Sequence, residues 1–273
     1  MVCEHKKKLN VLDVFSGIGG FSYGLESAGP FRTVAFCERD KFCQAVLRKH
    51  WPNVPIFDDV RTIDTDGLGR VDIVCGGFPC QPWSHAGEQR GAEDDRDLWP
   101  EMARLVKELR PKYLIGENVR GFVNQPMGLE RSLSDLESIG YQTVPFIIPA
   151  CAVDAPHRRD RVWIIAHADI QGEPDGTVDA RTRRRKLVAD ACVARLQRRE
   201  QRQTFGESER ASRPAAECGK DGWRNRWATE PNVGRVAHGI PNRVDRLKAL
   251  GNAVVPQIVG QIGRAILSAE RGE

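Results

Sequence analysis

From Asn10 to His167, short apolar runs alternate with segments of helical periodicity, and most of the runs end in glycine, proline or acidic residues. Few architectures accept that order. A strand followed by a helix and then by another strand reads as a parallel sheet with helices on both faces. The spacing predicts strands at Asn10–Phe15, Thr33–Glu38, Pro55–Val60, Val71–Cys75, Tyr113–Val119, Gln142–Pro149 and Arg161–His167. It predicts helices at Gly20–Ala28, Lys41–His50, Leu98–Leu109, Leu129–Ile139 and, after a long interruption, Gly251–Ala269. Ligands of such sheets sit at the carboxyl ends of the strands.

The interruption has its own character. Of the 66 residues from Ala168 to Val233, 14 are Lys or Arg, 11 are Asp or Glu, and only eight are Leu, Ile, Val or Phe. A self-supporting core needs roughly 20% of those four types, so this stretch cannot build one alone. The expected fold class is α/β: a Rossmann-like, doubly wound, mostly parallel sheet with a small inserted domain. Residues 1–167 plus 245–273 would form the sheet domain and residues 168–244 the insertion. The net charge of +4 decides nothing by itself, but arginine is concentrated after Ala180, as in Arg183-Arg184-Arg185-Lys186. Local basic excess is what a nucleic-acid footprint looks like. Trp223 and Trp227 add some apolar anchoring near the end of the stretch. No run approaches the ~18 apolar residues of a membrane span. The basic start, Met1 to Lys8, reads as a frayed end rather than a secretion signal.

Several strand ends carry residues suited to chemistry. The first runs into Phe15-Ser16-Gly17-Ile18-Gly19-Gly20, a turn whose glycines let a ligand approach the backbone at a helix N-terminus. Glu38 closes the second strand, where an acid is placed to hydrogen-bond ribose hydroxyls. Asp59 closes the third, where a carboxylate can accept from an adenine amino group. Together they describe a nucleoside site. Ser22 occupies the third glycine position of a dinucleotide fingerprint, which disfavours a dinucleotide. The fourth strand runs into Gly76-Gly77-Phe78-Pro79-Cys80-Gln81-Pro82-Trp83-Ser84. A lone cysteine is ordinarily a small buried hydrophobe, and Cys75 reads that way. The glycine and proline around Cys80 set it apart as a candidate nucleophile, active as the thiolate. Glu117-Asn118-Val119 ends the fifth strand and would face the same cleft. In His157-Arg158-Arg159-Asp160-Arg161 the arginines suit a base oxygen or a phosphate, or plain surface ion pairs. The polar loop Gln81–Leu98, with His85, Gly87 and Gly91, is long enough to serve as a lid.

In this order the motifs resemble the cytosine-5 DNA methyltransferase family, over nearly all of residues 9–167 and 235–262. Pro79-Cys80-Gln81, Glu117-Asn118-Val119 and Gly251-Asn252-Ala253-Val254-Val255-Pro256 carry the resemblance, with the Phe15–Gly20 turn in front. It implies S-adenosylmethionine as cofactor, S-adenosylhomocysteine as product, and no metal. Phe15 would stack on the adenine, Glu38 hold the ribose and Asp59 read the adenine amino group. Gly17, Gly19, Gly20, Pro79, Asn252 and Val254 would complete the cofactor site. Cys80, Glu117, Arg161 and Arg159 would be the catalytic set: Cys80 attacks C6 of cytosine, Glu117 supports N3, and the arginines hold the O2 side. A stacked cytosine hides C6, so base flipping is implied. Gln81, Ser84, Arg183, Arg184 and Arg185 would contact DNA, the inserted segment being the target-recognition domain. Two departures stand out. His157 occupies a place where the family usually has glutamine. The segment before the last motif is abbreviated, with only Gly234-Arg235-Val236 and Pro241–Leu250 standing in for it.

Three other readings compete. The RNA-methylating branch of the same fold shares the chemistry, although Phe78-Pro79-Cys80-Gln81-Pro82-Trp83-Ser84 looks more like the DNA branch. A non-catalytic DNA-binding relic is opposed by the intact Cys80, Glu117 and Arg161. A nicotinamide oxidoreductase lacks a hydride-transfer constellation. The eight cysteines include no C-x-x-C pair and no zinc-finger partner for His157 or His167, so free thiols in a reducing compartment are expected. The expected partner is double-stranded DNA, met as a monomer in the cytoplasm at the nucleoid. A cognate restriction endonuclease is the natural companion and would not need to bind the protein.

Overall fold

The computed structural model describes residues 8–79, 97–125, 128–168 and 243–272. Cys80, Gln81, Ser84, the lid loop up to residue 96, Arg183, Arg184, Arg185, Trp223, Trp227 and the inserted segment from 169 to 242 lie outside the described residues. The elements are β1 (Leu9–Val14), α1 (Gly20–Ala28), β2 (Phe31–Cys37), α2 (Lys41–His50), β3 (Ile56–Phe57), β4 (Ile73–Gly77), α3 (Trp99–Leu109), β5 (Tyr113–Val119), α4 (Leu129–Ser138), β6 (Tyr141–Ile148), β7 (Arg161–Ala168), α5 (Arg243–Asn252) and α6 (Pro256–Glu270).

The seven strands form one sheet in the order β3-β2-β1-β4-β5-β7-β6. Neighbours from β3 to β5 are parallel, while β7 runs antiparallel to both β5 and β6. Alternate residues of each strand face opposite layers. Val11, Ile73, Cys75 and Ile115 meet α1 and α6 on one face. Leu12, Val14, Val74 and Leu114 meet α3 and α4 on the other. Both faces are covered, as a mainly parallel sheet requires. β6 carries Pro145, which an edge strand tolerates because one side of its backbone need not donate.

α6 returns the chain to its beginning. Gly24 of α1 faces it so closely that an added Cβ would lie 2.5 Å from the Pro256 carbonyl oxygen and 2.7 Å from the Val259 Cβ. Contact at that range places the 253–255 link against the glycine turn after β1. The helix expected over Gly251–Ala269 begins only at Pro256, and Gly251 and Asn252 instead end the preceding α5. Pro256 has no N–H to donate and opens α6 at its first turn. The residue before a proline is pushed out of the helical region, and Val255 is extended at φ −83°, ψ 106°. α5 itself had no counterpart among the expected helices. Its apolar side chains Val244, Leu247 and Leu250 are 79%, 59% and 63% exposed, so they mark no core face. The third strand is shorter than expected, and Asp59 follows it as the N-cap of a 3-10 turn over Val60–Thr62. Glu38 lies one residue past β2. β7 extends through Ala168, and α5 starts at Arg243.

The departure at Ser22 has a structural reason. Its amide and hydroxyl both donate to Asp13 Oδ2, at 3.1 and 2.7 Å, fastening α1 to β1. Asp13 is fully buried, and its Oδ1 has no partner among the described residues. Burial pushes this carboxyl up to about 7 from an ordinary 3.8, against the pull of the Ser22 bonds. The folded protein therefore keeps the proton where the unfolded chain has lost it, and stability falls as pH rises between those two values. Asp13→Asn removes that titration. Relative to wild type, the variant should gain on the order of 2–3 kcal/mol between pH 5 and pH 8.5, read by urea unfolding at both pH values. An unchanged difference between the two would contradict a protonated Asp13.

Candidate active site

Progressing outward from β1, the chain moves through β2 and β3 on one side and restarts at β4 on the other. The crevice of such a sheet opens at that reversal, above the carboxyl ends of β1 and β4. β1 delivers Phe15, half-buried and in left-handed backbone at φ +54°. A bulky residue there is strained by ~1–2 kcal/mol, a cost typical of ligand sites. Gly17 (φ +55°) and Gly19 (φ +84°) continue the turn, where glycine has no such penalty. A Cβ on Gly19 would fall 2.7 Å from the Trp51 ring, and one on Gly20 would fall 2.8 Å from Val254 Cγ2. The turn is therefore clasped between α2's end and the 253–255 link. Beside Gly17 a Cβ would meet no described residue within 4 Å.

Glu38 sits at this turn. The Gly17 amide donates to its Oε2 at 2.7 Å and the Asp40 amide to its Oε1 at 2.7 Å. Each carboxylate oxygen keeps a second acceptor position. Asp40 in turn caps α2, accepting from the Phe42 and Cys43 amides. Asp59 accepts from the Arg61 amide at 3.0 Å, and its carbonyl accepts from Thr62. Those bonds are local, and they do not tie Asp59 to Glu38. Between the glycine turn, α2's end and residues 250–256 lies a mainly apolar cleft of about 430 Å³, lined by Gly20, Trp51, Arg159, Leu250 and Val254 among others.

The second half of the site comes from β4, β5 and β7. Gly77 pairs with Glu117 across the sheet, and a Cβ on Gly77 would sit 3.2 Å from Glu117 Oε2. The missing side chain leaves room for the carboxylate above the end of β4. Glu117 Oε1 lies 3.0 Å from Nε of Arg161, the first residue of β7. Glu117 is only 8% exposed. Burial raises its carboxyl to about 7, outweighing the opposite pull of Arg161 and, more weakly, Arg159. It is thus poised near neutrality to hold or yield a proton.

One contributor was quoted within a motif but given no role. Asn118 is buried, and its Nδ2 donates to the Phe78 carbonyl at 3.1 Å while its Oδ1 accepts from the Val119 amide. The Phe78 ring packs on Trp99 and Phe122. Asn118 thereby fixes the course of the chain at Phe78, where it leaves β4. A sequence signal existed, since a carboxamide beside an expected strand-end acid needs a partner when buried. Among the described cysteines, burial pushes Cys37 up to about 12, Cys43 to about 11 and Cys75 well above the thiol range. None of these three is prepared as a thiolate.

The structure thus brings together Phe15, Gly17, Gly19, Gly20 and Glu38 on one side, and Glu117 with Arg161 on the other. Val254 touches the glycine turn. Arg159 lies between the halves: its Nη2 donates to the carbonyls of Gly251 and Ala253, at 2.6 and 2.9 Å. Asn252, between those carbonyls, is exposed, as is His157. Among the described residues no group of three or more His, Cys, Asp or Glu side chains could hold a metal ion, and no helix is long and apolar enough to cross a membrane.

The family model described as C-5 cytosine-specific DNA methylase matches residues 9–212. The type II methyltransferase M.PspPI of Psychrobacter sp. (strain TA137) is 40% identical over 171 residues, 60% of this chain and 41% of that protein. M.HhaI of Haemophilus parahaemolyticus is 34% identical over 160 residues, 58% of this chain and 48% of that protein. The match thus spans less than half the length of these relatives. Among solved structures, a DNMT2 mutant from Spodoptera frugiperda superposes with a TM-score of 0.53 at 20% identity, covering 63% of this chain and 54% of that one, and shows the shared fold. A putative DNA modification methyltransferase encoded within an E. coli prophage gives 0.51 at 26% identity, covering 59% and 47%.

Proposed function

Because the chain belongs to the C-5 cytosine-specific DNA methylase family, we propose that it methylates C5 of a cytosine flipped out of a specific duplex DNA sequence, with S-adenosylmethionine as donor. One observation carries the reading: the buried Glu117–Arg161 pair stands over Gly77, at the end of the strand that leads into Pro79-Cys80-Gln81.

The residues present fit the cofactor. Among the described residues two acceptor positions of Glu38 are unused beside the glycine turn, the arrangement a ribose diol requires, and Phe15 is held in strained backbone next to it. Gly17, Gly19, Gly20, Pro79, Asn252 and Val254 would surround the remainder, and Asp59 would reach the adenine amino group. S-adenosylmethionine supplies, when bound, an electrophilic methyl group. The chain's own residues make C5 able to accept it. The Cys80 thiolate adds to C6, which leaves C5 with enamine character. Charge collects on N3, where the protonated Glu117 carboxyl supports it. Arg161 holds the O2 side and keeps Glu117 oriented through their ion pair. After methylation a base removes the C5 proton, the ring regains its double bond and Cys80 leaves.

Gln81, Ser84, Arg183, Arg184 and Arg185 are proposed to contact DNA, and the segment containing the arginines to choose the target sequence. The named relatives are type II methyltransferases, so a companion endonuclease reading the same sequence is proposed, as are a monomeric state and a cytoplasmic site of action.

The RNA-methylating branch of the same fold is the second reading, since Cys80, Glu117 and Arg161 would serve a cytosine in either nucleic acid. Tritiated methyl transfer to duplex DNA and to tRNA, run side by side, separates the two. We expect label in DNA, at C5 of cytosine within one short sequence context. Label in tRNA alone would overturn the DNA reading.

A further inference from the structure

α5 lies on the body with only Ala249 buried among residues 244–252. Helix propensity alone does not hold so exposed an element in place, and two polar ties reach it among the described residues. At one point Lys248 Nζ reaches Asp40 Oδ2 at 3.0 Å. Asp40 is the residue whose amide also binds Glu38. At the other, the Arg159 guanidinium binds the carbonyls of Gly251 and Ala253, which flank Asn252. A single nitrogen with two N–H groups serves both acceptors, so this nitrogen is fully used by the link between the two helices. Arg159 stands at φ +39°, a conformation that a non-glycine residue holds only when its surroundings require it. The Ala150 amide binds the Arg158 carbonyl at 2.6 Å and fixes the loop just before it.

The neighbouring Arg161 has a different assignment, with its Nε on Glu117. Two arginines one residue apart on either side of Asp160 therefore divide the work. Arg161 is bonded to the acid, while Arg159, whose charge also reaches Glu117, is bonded to the backbone at residues 251 and 253.

We propose that Arg159 is a positioning residue that holds residues 251–253 as a strap against the glycine turn, on the wall of the apolar cleft lined by Gly20, Trp51 and Val254, and that it does not contact the base. The proposal rests on the S-adenosylmethionine reading above, and its test separates the two. In Arg159→Ala the strap loses both donors. Amide exchange at residues 249–256 of the cofactor-free protein should accelerate at least tenfold, with exchange in β1, β4 and β5 unchanged. By calorimetry S-adenosylmethionine should bind ten- to fiftyfold more weakly, and in methyl transfer the loss should appear in KM for the cofactor rather than in kcat. Arg159→Lys, which keeps a donor without the fork, should recover part of both. A variant with wild-type exchange and cofactor affinity but a reduced kcat would overturn the proposal and place Arg159 at the base. If the wild type itself binds no S-adenosylmethionine, the cofactor reading falls, and exchange at 249–256 still decides whether Arg159 holds the strap.

Discussion

Cys80→Ala should abolish methyl transfer, by roughly 10⁴-fold or more, while leaving cofactor affinity within about a factor of two. Losses of that size are typical when the group forming a covalent intermediate is removed. The same experiment has a direct chemical form. DNA carrying 5-fluorocytosine cannot lose its C5 substituent, so the wild type should become covalently trapped and the variant should not. The buried thiols of Cys37, Cys43 and Cys75 are all held protonated, which leaves them poor competitors. Mass mapping of the adduct decides the assignment: attachment at Cys75 or Cys151 would sink it.

Glu117→Gln lowers the rate of the chemical step by about 10²–10³-fold, the scale of a lost proton donor in a water-poor site. The glutamine keeps a donor for N3 but has no proton to give. The pH dependence is the sharper signature. With its carboxyl raised to about 7, Glu117 is largely protonated at pH 6 and largely ionised at pH 8. Single-turnover rates of the wild type should therefore fall above neutrality, and that limb should vanish in the glutamine variant. Arg161→Ala removes the main influence holding the carboxyl down, so its limb should move to higher pH. A glutamine variant that keeps the wild-type limb would assign the limb to another group.

How much of this was legible in the sequence depends on how local each feature is. The glycine turn, Glu38 after β2, and the acid at the end of β5 were legible because strand periodicity and glycine punctuation are short-range signals. The direction of β7 was not: an apolar run such as Arg161–His167 looks the same whether it pairs parallel or antiparallel. The break before α6 was readable in principle from Pro256, but the apolar pattern on both sides masked it. Ser22 stood out as a departure, yet its cause, the buried Asp13, sits nine residues earlier on a different element. The resemblance assigned Arg159 to the O2 side; its hydrogen bonds to residues 92 and 94 positions away lie beyond any short-range signal. The resemblance to a family supplied roles for residues whose positions alone left alternatives open. It could not supply the bonds special to this chain.

The antiparallel seam between β5 and β7 has a practical consequence for engineering. Glu117 belongs to β5, but the cation that tempers it belongs to the β6–β7 hairpin, which meets the catalytic strand along one edge and closes the sheet. The acid and its regulator are thus carried on separable cassettes. A hairpin grafted from a relative, with another residue in place of Arg161, would retune the working pH without disturbing the glycine turn on which the donor would rest. Directed evolution of alkaline-active variants should accordingly collect its substitutions in residues 141–168 rather than around β1.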